Sequence, residues 1–156
     1  MGVIYKNVNY DYCAMLIISI LIITTILRRM IKGKVNRSFL EVLVVAWLTI
    51  LFDIWAVHLD NLGVQQVFTK YVAHMGYLVL HSLEMPFYIT YLVAMTDTWH
   101  LFKAKRLLAF LSSFPVLVIT GLILTSPATK WIFYINAQYE YTRGKYFTLL
   151  YVCAVI

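Results

Sequence analysis

Six polar or ionisable residues in one apolar run are the best candidates for chemistry in this chain: His74, Tyr77, His81, Glu84, Tyr88 and Tyr91. They recur every three or four residues, which on an α-helix places them on one face. Glu84 lies near the middle of the run, where an ionised carboxylate is expensive in hydrocarbon, so the face is expected to point into a helix bundle. A second carboxylate, Asp53, lies inside the preceding apolar run at a depth similar to that of His81. An Asp–His or Glu–His pair at that depth changes charge near neutral pH, the chemistry of a proton relay or a pH sensor. The same groups also serve as interhelical hydrogen bonds. Three roles therefore stay open for them: structural packing, ligand or signal sensing, and proton or ion transport.

Other chemistries find less support. His81-Ser82-Leu83-Glu84 puts a His and a Glu on one face, but di-iron bundles use Glu-x-x-His, in duplicate and with further Glu. His74 and His81 lack the i, i+4 spacing of a helical zinc pair. Cys13 and Cys153 fall inside apolar runs, where a buried thiol behaves as a small hydrophobe, and no CxxC or Cys/His spacing accompanies them. The sequence holds no Gly-rich phosphate loop, nucleophile elbow or Ser/His/Asp order. No catalytic residue, metal site or cofactor is assigned.

The elements that must carry the polar face are membrane spans. Hydrophobic residues make up 62% of the chain and charged residues 13%, with a mean hydropathy of +0.79; a soluble domain is roughly 45–50% apolar and about 25% charged. Spans are predicted at about 12–27, 39–59, 71–95 and 107–124, and the start of a fifth at 146. Arg28, Arg29, Lys32, Lys34 and Arg37 crowd the first junction, and Lys103, Lys105 and Arg106 the third. That alternation is the positive-inside pattern, with the N-terminus outside a plasma (inner) membrane crossed several times. The net charge of +6 therefore fits orientation and anionic headgroups, and nucleic acid is not expected as a partner. Charge following the first run, with no small-residue cleavage site, reads as an uncleaved span and not a signal peptide. Tyr10 and Tyr12 are expected at the outer interface. Asn36 or Ser38 is expected to cap the second span, with Glu41 in its first turn. Pro86 and Pro115 each remove a helical hydrogen bond and are the hinge candidates.

Trp131 to Ile135 and Tyr139 to Thr142 are aromatic and β-branched and flank Asn136-Ala137-Gln138. They predict a small extracytoplasmic β-hairpin over about 131–142, leaning on span ends because a lone hairpin is marginal in water. Eleven residues, Tyr146 to Ile156, cover about 16 Å as a helix, roughly half the hydrocarbon. The given sequence is therefore expected to be part of a longer protein, since an end there would leave carbonyls unpaired in lipid.

Two stretches resemble a known family. Asn36-Arg37-Ser38-Phe39-Leu40 leading to Leu51-Phe52-Asp53-Ile54 and Asp60-Asn61 is one. Ser126-Pro127 followed by Ile132-Phe133-Tyr134-Ile135 and Tyr141-Thr142-Arg143-Gly144 is the other. Both are similar to the multi-span N-terminal sensor regions of GGDEF-class diguanylate cyclases, and to the related sensor regions of membrane histidine kinases. The chain departs from the pattern at Lys145, where Pro is frequent, and in its glycine-free hairpin turn. The resemblance implies about seven spans before a cytoplasmic output domain, and a homodimer formed through it. No GGDEF or kinase motif is present, so no cyclase residue carries over.

The expected fold is all-α, a polytopic transmembrane bundle with one small hairpin. The expected function is a sensory, signal-transducing region that takes a small-molecule ligand from the outer side or responds to the lipid bilayer. Its polar core is drawn from Asp53, His74, Tyr77, His81, Glu84 and Tyr88. A secondary transporter or proton-linked carrier is the alternative; an intramembrane enzyme would need a nucleophile or ligand cluster that is not found.

Overall fold

The computed structural model describes residues 8–27, 33–62, 66–96 and 106–150, with the backbone alone for 106–113. Four helices precede a two-stranded sheet: α1 (Asn9–Leu27), α2 (Lys34–Asn61), α3 (Val67–Met95), α4 (Arg106–Thr129), β1 (Phe133–Ile135) and β2 (Tyr141–Arg143). The chain is thus mostly helical with one small antiparallel sheet. Helices α1, α2 and α3 are long and apolar enough to cross a membrane, and the stretch of α4 whose side chains are described, Phe114–Thr129, is apolar as well. Their 19, 28 and 29 residues give lengths of about 28, 42 and 44 Å at 1.5 Å per residue, against about 30 Å of hydrocarbon.

Two helix boundaries differ from those predicted. Helix α2 starts at Lys34 behind Gly33, which is extended and provides no side-chain cap. Asn36 and Ser38, the expected caps, lie within the helix. An exposed first turn can leave its free N–H groups to water, so no capping side chain is required there. Glu41 accordingly lies beyond the first turn and pairs with Arg37 one turn earlier at 3.1 Å, an exposed pair that contributes little. Helix α4 does not exit at Ser126-Pro127 but continues to Thr129. Pro127 removes only the bond to the Ile123 carbonyl. Lys130 then ends the helix in the left-handed region, φ 58°, its N–H bonding the Ser126 carbonyl at 2.8 Å. Glycine usually holds that position. Pro86 and Pro115 both lie inside helices that continue past them.

The helices pack in chain order, α1 on α2, α2 on α3 and α3 on α4. The α2–α3 contact is intimate at Gly76, where an added Cβ would collide with the Phe52 ring. Helix α1 buries none of its residues. It is fastened to α2 by Trp47 Nε1 donating to Ser19 Oγ at 2.9 Å and by a Tyr12–His58 hydrogen bond of 2.5 Å. Cys13, expected to behave as a buried thiol, is exposed on this helix.

The strands pair Phe133 with Arg143, Tyr134 with Thr142 and Ile135 with Tyr141. The turn closes without glycine. Asn136 Oδ1 accepts from the N–H groups of Gln138 and Glu140 at 2.9 and 2.8 Å, and Tyr139 takes the left-handed conformation at φ 63°. Short polar side chains of this kind mimic a backbone turn. The hairpin lies on the helix ends, as expected. Leu78, Ile119, Ile123, Ile132 and Phe133 form the buried core beneath it. Residues 145–150 form a turn opening into a helix; 151–156, which hold Cys153 and most of the predicted fifth run, lie outside the described residues, as do 28–32 and 97–105 of the basic junctions.

Candidate functional site

Two polar centres divide α3 between them. The first lies at the hairpin end. Asp60 closes α2, and Lys70 and His74 lie one turn apart on α3, so the short α2–α3 connection brings one carboxylate against two nitrogens. Lys70 Nζ is 3.5 Å and His74 Nε2 3.4 Å from Asp60 Oδ1. Lys70 is only 2% exposed. Burying an ammonium so fully demands strong compensation. It comes from Asp60 and from the carbonyl of Tyr139, which accepts from Nζ at 2.6 Å. The left-handed conformation of Tyr139 is what belongs to this carbonyl's residue, so the hairpin tip and the buried ammonium hold one another.

The hairpin is fastened by further ring contacts and hydrogen bonds. His74 lies against the Tyr141 ring with centroids 4.4 Å apart, and Phe133 is flanked by Tyr71 and Tyr141, each at 5.6 Å. The Ile135 N–H donates to Tyr71 Oη at 3.3 Å. Ser126 Oγ accepts from the N–H groups of Ile132 and Phe133 at 3.1 and 2.9 Å and donates to the Phe133 carbonyl at 3.0 Å. One fully buried hydroxyl thereby closes the turn from α4 into β1. Arg143, part of the Arg-Gly motif, places its guanidinium over the Phe147 ring at 4.8 Å, and Gly144 passes so close to the Trp131 carbonyl that a Cβ would collide with it.

The second centre is a cavity of about 320 Å³ between α2, α3 and α4, with Leu150 also in its wall. Val42 and Ala46 come from α2, Leu78, His81, Ser82, Glu84, Met85 and Tyr88 from α3, and Val116 and Ile119 from α4. This volume is at the lower end of the roughly 300–1,000 Å³ typical of ligand pockets, and mostly apolar walls with a few convergent polar groups are their usual composition. His81 Nδ1 meets Glu84 Oε2 at 3.2 Å, and Tyr77 stacks on the imidazole with an interplanar angle of 7°. Of the two carboxylates expected to pair with a histidine at this depth, Glu84 makes the hydrogen bond to His81. Met85 and Val116 are the sequence neighbours of Pro86 and Pro115, so the cavity lies where both proline-bearing helices meet.

The predicted polar face is therefore split. His74 points into the bundle, as expected of the whole face, but the His81 side chain is 57% exposed and Tyr88 is also exposed. The face spans more than three turns: His74 meets Asp60 and the hairpin's Tyr141 at one end, whereas His81 and Tyr88 line the cavity. Tyr88 contacts Tyr91, which in turn packs on Phe39 of α2. Sequence reasoning passed over Lys70, Tyr71 and Ser126. A lysine one turn before His74, just past a connection that opens with Asp60, was the available signal for the first. Among the described residues no group of three metal-ligating side chains converges. No family model, no curated protein and no solved structure matches the chain.

Proposed function

We propose that the chain is the membrane-embedded sensory region of a signalling protein, in which occupancy of the α2–α3–α4 cavity changes how α3 and α4 bend and so biases a cytoplasmic output domain. By resemblance that domain is a diguanylate cyclase. The observation that carries the reading is the position of the cavity beside Pro86 and Pro115. A proline leaves a helical carbonyl without its usual N–H partner and makes bending cheap there. An occupant between two such helices has a differential affinity for their bent and straight forms, which is what a population shift requires. The hairpin end supports the same reading, because buried ion pairs and aromatic packing make it the fixed end of the lever.

Membrane insertion belongs to the proposal. Three long apolar helices support it, and the basic junctions at 28–37 and 103–106 support a plasma (inner) membrane location with the N-terminus and hairpin outside. Cysteine at Gln138 should be labelled by an impermeant maleimide in intact cells, and cysteine at Lys34 only after lysis. Sensing itself is tested by spin labels at Lys34 and Met95, both at the end remote from the hairpin, in nanodiscs. Filling the cavity with Ala46→Phe should displace their distance distribution by several ångströms. An unmoved distribution in a protein of unchanged helicity would remove the sensory role and leave a passive bundle.

A further inference from the structure

The cavity is specific about what it can hold, and the argument begins with depth. His81 is fourteen residues from each end of α3, Val67 and Met95, which places it about 21 Å from either terminus at 1.5 Å per residue. On the membrane-embedded sensory reading, on which this inference rests, that is the middle of the hydrocarbon. A phospholipid headgroup, a free carboxylate or an ammonium would have to be carried to the midplane without water, at large cost. A ligand that reaches His81 therefore has a neutral head.

The head's chemistry follows from the His81–Glu84 pair. At this depth the cheapest charge state is the one in which imidazole and carboxylate hold one extra proton between them and are net neutral. If that proton is on the imidazole, both ring nitrogens carry hydrogen. If it is on Glu84, the carboxyl O–H donates to Nδ1, and the neutral ring carries its hydrogen on Nε2. In both forms Nε2 is a donor, because Nδ1 is the nitrogen engaged with Glu84. His81 lines the cavity, so a ligand beside it meets a donor and needs an acceptor. The rest of the wall is mostly aliphatic or thioether, as at Val42, Ala46, Met85 and Val116, with Ser82 and Tyr88 as further polar residues; Ser82 Oγ is already engaged with the Val79 carbonyl at 2.7 Å.

We infer that the cavity binds a neutral amphiphile from the bilayer, an aliphatic chain ending in a carbonyl or hydroxyl oxygen, with that oxygen accepting a hydrogen bond from His81. A hydroxyl head can in addition donate to Glu84. The chain lies against Val42, Val116 and Ile119, so its apolar part gives little discrimination, and selectivity resides in the polar contacts of the head.

The test uses the protein in phosphatidylcholine nanodiscs and a long-chain alcohol bearing a diazirine near its head. Photolabelling should fall on the Leu78–Tyr88 peptide. Dodecanol and 2-dodecanone should compete about tenfold better than dodecane, dodecylamine or dodecanoate, the discrimination expected of one buried hydrogen bond. Ala46→Phe should abolish labelling of that peptide. His81→Phe should reduce it to the dodecane level, and His81→Gln, which restores an N–H donor, should recover it. Labelling spread equally over α1, equal competition by dodecane, or stronger competition by the amine or the acid would each overturn the inference. If labelling fails while Ala46→Phe still moves the Lys34–Met95 distance, the ligand class falls and the sensory reading stands. Specific labelling with an unmoved distance separates them the other way.

Discussion

Replacing Asp60 by Asn removes the charge that faces Lys70 and His74 at 3.5 and 3.4 Å but preserves size. Lys70 remains buried, with the Tyr139 carbonyl at 2.6 Å as its strong contact. Breaking a buried ion pair from one side costs about 3–5 kcal/mol, because the surviving charge is uncompensated. The Tyr139 bond persists and Asp60 is 12% exposed, so the lower end applies, about 3 kcal/mol. The loss falls on the docked hairpin, since Lys70 contacts its tip. At 1.4 kcal/mol per decade, hydrogen exchange of the hairpin amides should accelerate by roughly 150-fold. The amides to follow are those of Phe133 and Gly144, bonded to Ser126 Oγ and the Ile132 carbonyl, with the mid-α2 amides as an internal control. Replacing both partners, Asp60→Leu with Lys70→Met, should recover most of the protection, because two apolar groups leave no buried charge. Wild-type exchange in Asp60→Asn, or a double variant no better than the single, would refute the assignment of this pair as the clamp.

Three other outcomes follow from the packing. Gly76→Val should force α2 from α3 at Phe52, costing roughly 1–3 kcal/mol in thermal denaturation, and Phe52→Ala should partly rescue it. Ser126→Ala strands two N–H groups and a carbonyl in a buried turn, so about 1–3 kcal/mol should be lost, read as faster exchange at Ile132 and Phe133 with α3 unaffected. Trp47→Phe should loosen α1 alone, since the Tyr12–His58 bond remains, seen as raised cross-linking mobility of a cysteine at Leu16 while the hairpin amides keep their protection.

Much of this architecture is legible in the residues. Apolar runs separated by charged junctions specify the helices, and the aromatic, β-branched stretches around Asn136 specify the hairpin, even though its turn uses Tyr139 in place of glycine. The helix ends were less legible. Gly33 is a starting point that no capping side chain announces, and Pro127 reads as a stop although the helix absorbs it. The polar face on α3 is visible as a period, but a period cannot say how far a neighbouring helix follows it. That is decided by tertiary packing: His74 meets Asp60 and the hairpin's Tyr141, while His81 lines a cavity. Lys70 was missed because a lysine flanking an apolar run ordinarily projects to water, and its burial depends on the Tyr139 carbonyl 69 residues away.

Helix α1 buries no side chain; its polar ties to α2 are at Tyr12 and Ser19, accompanied by the half-buried Ala14, Met15, Ile18 and Ile22. Its outer face therefore stores very little information. A library that permutes its exposed aliphatic residues, with those six positions fixed, should yield mostly functional members, whereas the same scrambling of α3 should yield almost none. Inheritance can drift along that outer face nearly without constraint, so two descendants of this chain would first become unrecognisable to one another there.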